Sequence, residues 1–447
     1  MVIQRQKFFL ETYGCQMNFH DSERIAGLME AAGYEATADQ ASADVVIINT
    51  CTVRERAEEK LYTRLGELRE ASAESGRRPV VVVAGCVAQQ SVGAVFTRSR
   101  FVDVIVGPGS LTRLPALLQR ARESTQPVVD VGSPEDVPFP AGRAKRGDPV
   151  RAYVTIAEGC NEFCSFCVVP YTRGRERMRP RSEILEEVRQ AAEAGYREVQ
   201  LLGQIVNCYQ APDDPSCDFA ALLAAVHEIP ALERIRFASP HPRHVTPRLI
   251  QAIRDLPKVC NHLHLPVQSG SSSVLKRMRR RYSREQYLEL VAQVREAIPG
   301  IALSTDMMVG FPGETVEEFE ETLSLTAAVR YHSMFSFKYS PRPNTLALRR
   351  LADDVSEAEK TRRIVVLQRL QGAIQLELFQ QAIGREFDVL VESTSRRREW
   401  ELSGRTEGNT VVNFPGPKAW LGRTVRVRIS RAGANSLAGE PVDAESA

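Results

Sequence analysis

Long apolar runs are missing from this 447-residue sequence, and none approaches the roughly 20 consecutive apolar residues that a membrane-spanning helix needs. The first seven residues carry no apolar signal core, so we expect a cytoplasmic protein without a membrane partner. An excess of one charge sign is also missing, since 58 Lys and Arg stand against 56 Asp and Glu, for a net charge of +2. The charge of the whole chain therefore does not require a nucleic-acid partner, and any basic surface must be local.

The composition is that of an ordinary globular protein. Hydrophobic residues make up 43% of the chain and charged residues 26%, which excludes a disordered, collagen-like or coiled-coil protein. The length of the chain suggests about three domains. Nine cysteines are present, and in a protein expected in the cytosol they indicate metal-binding or catalytic thiols rather than a disulfide framework.

Strand and helix patterns alternate in the first third of the chain. The predicted strands are 8–10, 45–48, 80–83 and 102–106, and the predicted helices are about 22–33, 54–74 and a segment from near 111. Continuous β-branched runs between helices indicate a parallel sheet covered on both faces. We therefore predict an α/β domain over residues 1–125. Residues 126–148 contain four prolines after Gln126 and a basic cluster at Arg143, Lys145 and Arg146, and we interpret them as a linker.

The alternation resumes over residues 149–383. The predicted strands are 152–156, 198–202, 234–238, 262–267, 301–308 and 333–337, with helices between them such as 182–195 and 316–329. Six βα units are enough for an open, partial barrel but not for a closed eight-stranded one. A long amphipathic helix over 357–383 is predicted to end at Gly384.

The tail, residues 384–447, has a different pattern. Short strands are predicted at 387–391, 400–402, 410–414 and 424–429, which is typical of a small β-barrel. Residues 385–431 hold ten Arg or Lys against six Asp or Glu. Arg426 and Arg428 alternate with apolar residues, so both lie on one solvent-facing side. This basic stripe is either an RNA-binding surface or the solvated face of an ordinary β domain.

Three cysteines lie in one short loop after the first strand of the second domain, as Cys160-x3-Cys164-x2-Cys167. A zinc site normally takes four protein ligands, and this loop offers three thiolates and no nearby His. Three thiolates on a four-iron cluster leave one iron open, where a substrate or cofactor can bind. The spacing matches the radical S-adenosylmethionine (SAM) signature. The alternatives are a zinc site with a distant fourth ligand, or three unrelated buried thiols.

A second group of three cysteines, Cys15, Cys51 and Cys86, has no local motif but a regular spacing of 36 and 35 residues. Each follows the end of a predicted strand. The carboxyl ends of parallel strands share one edge of a sheet, so the three thiols are predicted to converge there on a second cluster. The alternative is three half-buried structural cysteines. Cys208, Cys217 and Cys260 share no spacing with either group, and we interpret them as structural.

Several motifs resemble the methylthiotransferase family of radical SAM enzymes. The N-terminal motifs are Tyr13-Gly14-Cys15-Gln16-Met17-Asn18, Asn49-Thr50-Cys51-Thr52-Val53-Arg54 and Ala84-Gly85-Cys86. The central motifs are 158–176 around the cysteine loop, 265–271, 308–315 and 339–343. The tail is similar to the TRAM module, a small RNA-binding β-barrel. Ile205 and Asn344 depart from the usual family pattern, where Asn and Gly are expected, and concern only the substrate pocket.

The resemblance implies two [4Fe–4S] clusters, each held by one cysteine group, and two SAM molecules per turnover. One SAM would methylate a sulfur of the Cys15/Cys51/Cys86 cluster. The other would be cleaved at the Cys160/Cys164/Cys167 cluster to a radical that removes hydrogen from C2 of an isopentenyl-modified adenosine beside the anticodon. The implied partners are the anticodon stem-loop of a tRNA and an electron donor. All six cysteines would then be both metal ligands and catalytic residues.

Polar residues at strand ends are the natural candidates for SAM contacts. These are Gln204, Ser239, Gln268 and Asp306, although each can instead satisfy local loop backbone. Two arginine-rich segments are candidates for phosphate contacts, namely 276–281 and the alternating arginines at 173, 175, 177, 179 and 181. Either segment can equally be a solvated face. His262 and His264 alternate with leucines on one strand, which is more typical of sheet packing than of metal binding.

Three other functions share part of this pattern. A methylthiotransferase acting on a ribosomal protein, or one acting on threonylcarbamoyl-adenosine in tRNA, would use the same chemistry. The segment Gln16-Met17-Asn18 and the pair Val53-Arg54 are more similar to the tRNA branch. A non-catalytic iron–sulfur protein that binds RNA and senses redox state is the alternative from another class. Release of 5′-deoxyadenosine from SAM would distinguish the enzymes from such a sensor.

Overall fold

The computed structural model describes residues 5–52, 55–132, 139, 144–395, 398 and 400–442. Several residues lie outside the described ones, namely Val53, Arg54, residues 133–138 and 140–143 of the predicted linker, which include Arg143, and the basic residues Arg396 and Arg397. Within the part of the chain that is described, none of the helices combines the length and the apolar character that a membrane span requires.

The first third forms one parallel sheet of six strands. The strands are β1 (Lys7–Tyr13), β2 (Glu35–Ala36), β3 (Val45–Thr50), β4 (Val80–Gly85), β5 (Val104–Val106) and β6 (Val128–Asp130), in the order β2-β1-β3-β4-β5-β6. The helices are α1 (Gln16–Ala31), α2 (Glu55–Ser75), α3 (Cys86–Gln90), α4 (Val92–Arg98) and α5 (Leu114–Glu123). Two apolar clusters, one on each face, bury the strands, as the β-branched runs predict.

Two boundaries differ from the prediction. The segment interpreted as a linker contributes the edge strand β6, which pairs with β5, so its first residues belong to the sheet. Helix α1 begins at Gln16, six residues before the predicted start, because the side chain of Asn18 accepts a hydrogen bond from the Cys15 N–H (3.4 Å) and caps the helix. The polar residues that hid this first turn from the pattern, including Asn18 and His20, are buried.

The central part is an open barrel made of two three-stranded parallel sheets, β11-β10-β7 and β12-β13-β14. A parallel bridge between Ile235 and Val259 links the two sheets. The strands are β7 (Arg151–Thr155), β8 (Ala157–Glu158), β9 (Arg177–Met178), β10 (Glu198–Leu202), β11 (Arg234–Phe237), β12 (His262–His264), β13 (Ala302–Val309) and β14 (Ser333–Lys338). The helices are α6 (Val169–Thr172), α7 (Arg181–Glu193), α8 (Phe219–His227), α9 (Pro247–Asp255), α10 (Ser272–Arg277), α11 (Arg284–Ala297), α12 (Val316–Val329), α13 (Leu346–Arg350) and α14 (Glu357–Gln380). All six predicted barrel strands are present.

Each barrel strand has two faces of different character. Leu263, Leu303 and Met307 belong to the apolar core that the helices cover. Because successive side chains of a strand point to opposite sides, His264, Ser304 and Asp306 lie on the other side, which we call the inner face. On β14 the residue that pairs with Asp306 is Phe335, which therefore shares the inner face.

The tail is a closed five-stranded barrel in the order β15-β16-β17-β19-β18. Its strands are β15 (Glu386–Thr394), β16 (Glu401–Arg405), β17 (Val411–Pro415), β18 (Thr424–Ala432) and β19 (Leu437–Pro441). The pattern of the sequence predicted the first four, and the small residues of β19 concealed the fifth. Val389, Val412 and Val427 fill the interior, while Arg426 and Arg428 are exposed as their alternation predicts.

The tail barrel is fixed to the amino-terminal ends of the central strands. Arg234 donates to the main-chain oxygens of Asp388 (2.7 Å) and Arg405 (2.6 Å). Arg236 donates in the same way to Thr406 (2.7 Å) and Glu407 (2.9 Å). We call these four contacts the tail docking contacts.

Helix α1 joins the first sheet to the central barrel through buried polar contacts. His20 Nδ1 lies 2.7 Å from Thr155 Oγ1, and Arg24 donates to Glu158 at 3.1 Å. Glu23 accepts a hydrogen bond from the Gly147 N–H at 2.9 Å, but its Oε2 atom has no partner among the described residues. Burial raises the pKa of Glu23 to about 7.

This carboxyl makes the stability of the interface depend on pH. The folded protein binds the Glu23 proton more tightly than the unfolded chain does, so the stabilisation is complete below pH 4.5 and is lost as the pH rises through about 7. The loss amounts to about 3 kcal/mol. Glu23→Gln is expected to unfold at the same temperature as the wild type at pH 4.5 and at a higher temperature at pH 8. Thermal unfolding checks this, with the exposed Glu35→Gln as control, and equal melting at pH 8 would contradict it.

Candidate active site

The strand register brings the first cysteine group together. Tyr13 on β1 pairs with Thr50 on β3, which pairs in turn with Gly85 on β4. Cys51 and Cys86 follow Thr50 and Gly85 directly, and the Cys51 N–H donates to the Tyr13 oxygen (2.8 Å) as the chain leaves the strand. Cys15 follows Tyr13 by two residues and caps α1. The three cysteines therefore lie at the same edge of the sheet, where their spacing placed them.

The thiols of this group interact with one another. A hydrogen bond from the Cys51 thiol lowers the pKa of Cys15 to about 6 against the effect of burial. Burial raises the pKa of Cys86, which is 5% exposed, although Arg173 opposes that shift and the charge of Cys15 adds to it. The Cys15 sulfur also lies 3.3 Å from Asn18 Oδ1. Mutual interaction of three thiols in a buried position is the arrangement that a cluster ligated by thiolates requires.

The second cysteine group is held in the loop between β8 and α6. Gly159 has a φ of +78°, and a Cβ atom there would lie 1.9 Å from the Arg175 oxygen, so only glycine allows the loop to fold back on itself. The Cys160 N–H donates to the Gly174 oxygen (3.2 Å) and the Cys167 N–H to the Cys164 oxygen (3.0 Å). Burial raises the pKa of Cys160 to about 11 and that of Cys167 to about 12.

Arg280 is the polar neighbour of this second group. Its Nη1 lies 3.5 Å from the Cys164 sulfur, while Nη2 donates to the Pro266 oxygen (2.9 Å) and Nε to the Tyr282 hydroxyl (2.9 Å). Arg280 is 6% exposed, so its charge has little access to water. Cys208, which we interpreted as structural, also lies near this group. Burial is the main cause that raises its pKa to about 12, and the charges of two glutamates and of Cys160 add to the shift.

Three of the four candidate SAM contacts lie beyond the ends of strands of the central barrel, and the fourth, Asp306, lies within a strand. Gln204 follows β10, Ser239 follows β11, Gln268 follows β12, and Asp306 lies on β13. Gln268 bridges to β13, since its N–H donates to the Asp306 oxygen (3.0 Å) and its oxygen accepts from Met308 (2.8 Å). Ser239 and Gln268 adopt positive φ values of 61° and 77°. Such backbone strain is concentrated at functional sites in proteins.

Gln204 fits a site for a polar ligand. Its Oε1 atom is buried and has no hydrogen-bond partner among the described residues. A buried acceptor of this kind costs free energy unless a ligand or water satisfies it. Together with the neighbouring cysteine loop, Gln204 suits a cofactor that carries hydrogen-bond donors, such as the amine of SAM.

The inner face of the barrel carries a polar and aromatic patch. His264 Nε2 lies 3.5 Å from Asp306 Oδ1, and both His262 and His264 lie 2.9 Å from the Ser304 hydroxyl. The ring of Phe335 meets the edge of His264 at 6.2 Å and is 55% exposed. A phenylalanine that is largely exposed beside polar groups is suited to stack on a planar ring. No sequence pattern pointed to Phe335, because only the strand register places it opposite Asp306.

The two cysteine groups adjoin across the domain boundary. Helix α3 begins at Cys86 and packs against α6, which begins two residues after Cys167. Among the described residues, no three His, Cys, Asp or Glu side chains are close enough to bind a single metal ion. A four-iron cluster is a larger body that its cysteines surround from separate positions. The buried thiols of the first group, with the charge of Arg173 nearby, fit such a cluster. The thiols of the second group fit one as well, in the loop that turns at Gly159 and lies beside Arg280.

Most of the predicted phosphate contacts serve other purposes. Arg173 and Arg280, two of the candidates for phosphate contacts, are neither exposed to RNA nor on a solvated face, because both are buried near cysteines. Ion pairs hold four further arginines: Arg177 with Glu158, Arg179 with Glu187, Arg181 with Asp214 and Arg277 with Glu318. Lys276, Arg279 and Arg281 are exposed and line a cavity of about 560 Å³. On the tail, Arg426 and Arg428 pair with Glu386.

Fold and site together define a radical SAM protein. The Radical SAM superfamily matches residues 154–326, the Uncharacterized protein family UPF0004 matches 7–107, and the TRAM domain matches 380–442. The structure of the radical SAM methyltransferase TsrM from Kitasatospora setae superposes with a TM-score of 0.55 at 14% identity, covering 86% of this chain and 81% of TsrM. The SAM-bound radical enzyme OxsB superposes with a TM-score of 0.52 at 13% identity, covering 82% of this chain and 61% of OxsB. These two likenesses concern the fold.

Full-length relatives identify the family. A Moorella thermoacetica protein named tRNA-2-methylthio-N(6)-dimethylallyladenosine synthase is 44% identical over 445 residues, which is 99% of this chain and 100% of the relative. A protein of the same name from Carboxydothermus hydrogenoformans is 45% identical, over 95% of this chain and 97% of the relative. The chain belongs to the methylthiotransferase family of radical SAM enzymes. Its cofactors are SAM and [4Fe–4S] clusters.

Proposed function

We propose that this protein inserts sulfur and a methyl group at C2 of N6-isopentenyladenosine next to the anticodon of tRNA, giving 2-methylthio-N6-isopentenyladenosine. The observation that carries the proposal is the pair of cysteine groups that adjoin through α3 and α6. An unactivated C–H bond needs radical chemistry and the inserted sulfur needs a source, so two separate sites must lie close together. The relatives named above are named for this product.

The division of labour follows the three regions of the chain. Residues 1–125 would hold one [4Fe–4S] cluster on Cys15, Cys51 and Cys86. Residues 149–383 would hold the other on Cys160, Cys164 and Cys167, with SAM beside Gln204, Ser239, Gln268 and Asp306. When bound, these groups supply the one-electron chemistry that activates the C–H bond and the sulfur that is inserted. The tail would supply the RNA-binding barrel, and the chain that follows β6 would connect the first two regions.

The residues of the inner face would position the adenosine. A base that reacts in the barrel has to leave the RNA stack, and extruded bases are held by stacking on aromatic rings and by hydrogen bonds to their edges. Phe335 supplies an exposed ring, and Asp306 and His264 supply polar atoms beside it. We place the protein in the cytoplasm, together with its tRNA substrate. The reaction also requires an electron donor.

Phe335→Ala is expected to weaken binding of a prenylated anticodon hairpin by about 10-fold to 100-fold, since base–aromatic stacking contributes about 1–3 kcal/mol. The loss should appear mainly in KM, because the cysteines and the SAM contacts are untouched. Steady-state kinetics with the hairpin measure it. Leu376→Ala, which removes an exposed apolar side chain from α14, is the matched control. A wild-type KM for Phe335→Ala would remove this residue from the binding site.

Mass spectrometry of tRNA nucleosides tests the function itself. In a strain that lacks this gene, the methylthio-isopentenyl nucleoside should vanish and its unthiolated precursor should accumulate, and the wild-type gene should reverse both changes. Loss of a methylthio group from threonylcarbamoyl-adenosine would assign the sister activity in tRNA. Unchanged nucleosides together with a missing methylthio mass on a ribosomal protein would assign the protein substrate. Absence of 5′-deoxyadenosine under every condition would favour the redox sensor.

A further inference from the structure

One arginine of the central barrel reaches into the first cysteine group. Arg173 lies six residues after Cys167 in the chain, and its N–H donates to the Val169 oxygen (2.8 Å) at the end of α6. Its guanidinium is 4% exposed and donates from Nη2 to Asp21 Oδ2 at 2.5 Å. Its charge opposes the rise that burial causes in the pKa of the Cys86 thiol, and α6, which ends just before Arg173, packs against α3, which begins at Cys86. A residue just beyond the second cysteine loop thus lies beside a ligand candidate of the first group.

Asp21 extends this contact to the rest of the first group. It lies on α1, whose first turn is capped by Cys15, and it is 2% exposed. Arg24, on the same helix, pairs with Glu158, which directly precedes the cysteine loop at Gly159. Two buried ion pairs, Asp21–Arg173 and Arg24–Glu158, therefore fix α1 against both ends of that loop. The planar fork of an arginine can serve a carboxylate and a sulfur at once, whereas the single ammonium of a lysine presents no such fork.

We infer that Arg173 is the positioning residue of the first cysteine group, holding its cluster in the charge state and place that face the second group. Thiolates and sulfides put negative charge in a site with little water, and buried charge is costly without a partner. Arg173 supplies the positive charge from the opposite domain, and Asp21 orients it. The inference rests on the proposal that Cys15, Cys51 and Cys86 bind an iron–sulfur cluster. It adds that this cluster depends on a residue of the other domain.

The test uses the full chain carrying Cys160→Ala, Cys164→Ala and Cys167→Ala, so that only the first group can bind iron. This parent and its Arg173→Gln, Arg173→Lys and Asp21→Asn derivatives are reconstituted anaerobically with ferrous iron and sulfide. Two quantities are measured, the rate of iron loss to a chelator and the midpoint potential of the cluster by spectroscopic titration. Arg181→Gln is the matched control, because this arginine of the same alternating run pairs with Asp214 instead.

Arg173→Gln is expected to lose iron about 10-fold to 100-fold faster, as changes of residues that support metal ligands typically do. Its midpoint potential should become more negative, because reduction adds negative charge that Arg173 stabilises. Arg173→Lys should keep a potential near that of the parent while losing iron faster. Asp21→Asn should lie between the parent and Arg173→Gln in iron loss, and Arg181→Gln should match the parent.

Three results would overturn the inference. Parental iron retention and potential in Arg173→Gln would show that the arginine does not support the cluster. Equal iron loss in all three derivatives without a change in potential would show a purely structural contact. A parent that binds no iron would overturn the proposed second cluster itself, and with it the inference. If circular dichroism shows that Arg173→Gln does not fold, the comparison between the midpoint potentials of Arg173→Lys and Asp21→Asn decides the question.

Discussion

Cys160→Ala is expected to abolish both the cleavage of SAM and the formation of the methylthio product, whereas Cys15→Ala should abolish the product alone. The reason is the separation of the two cysteine groups, which lie on different domains and adjoin through α3 and α6 and through the ion pairs that α1 makes with Arg173 and Glu158. Loss of a ligand in one group leaves the contacts of the other intact. Anaerobic assays that quantify 5′-deoxyadenosine and methylthio nucleoside in the same sample measure the two effects.

Cys217→Ala is the control for this pair of variants. Cys217 is buried, and its N–H donates to the Asp214 oxygen in a loop that carries neither cysteine group. It should retain both activities. Loss of SAM cleavage in Cys15→Ala would contradict the separation, because it would mean that the first group is needed to bind or cleave SAM. Product formation by Cys15→Ala would remove the first group from the sulfur step.

Glu198→Gln is expected to destabilise the protein by about 3–5 kcal/mol, the usual cost of leaving buried charges without their partner. Glu198 is fully buried on β10 and pairs with Arg151 (2.5 Å) and Arg236 (2.8 Å). Its removal leaves two arginines in the base of the barrel with one carboxylate fewer. Thermal unfolding of the full chain measures the effect.

Release of the tail should accompany this loss of stability, because Arg236 also makes two of the tail docking contacts. Limited proteolysis should therefore cut Glu198→Gln between the central barrel and the tail faster than it cuts the wild type. Arg248→Ala, which breaks an exposed ion pair with Asp218, is the control and should leave both measurements nearly unchanged. Wild-type stability of Glu198→Gln would mean that the guanidinium groups find other acceptors.

The sequence predicted the parts of the site that depend on strand order. Hydrophobic runs located β3, β4 and the barrel strands, and a parallel sheet then requires Cys51 and Cys86 to emerge at one edge. Short strands without such runs, β2, β6 and β19, could not be recognised, because pairing with a neighbour rather than side-chain pattern creates them. The start of α1 was hidden for a related reason, since its polar residues are buried, Asn18 against Asn49 of the same sheet and His20 against Thr155 of the central barrel.

The burial and the partners of the arginines could not be predicted from one sequence. A run such as 276–281 has the same composition whether it faces solvent or the interior. Arg280 and Arg173 became neighbours of cysteines only through the folding of distant segments, and their roles follow from burial and from partners over 100 residues away. The one sequence signal for these roles was that both arginines lie in or near motifs around the cysteine loop and its supporting strands. Charge alone concealed that signal.

The tail docking contacts have an evolutionary consequence. All four acceptors are peptide carbonyl groups of Asp388, Arg405, Thr406 and Glu407, so the side chains of these residues do not make the bonds. Mutations can therefore change the outer surface of this module, and with it the RNA that the module selects. Arg234 and Arg236 meanwhile hold the module on the central barrel. Selection for a new target would act on the tail without disturbing the catalytic barrel. We expect the two arginines to tolerate far less change across related enzymes than the tail residues they hold.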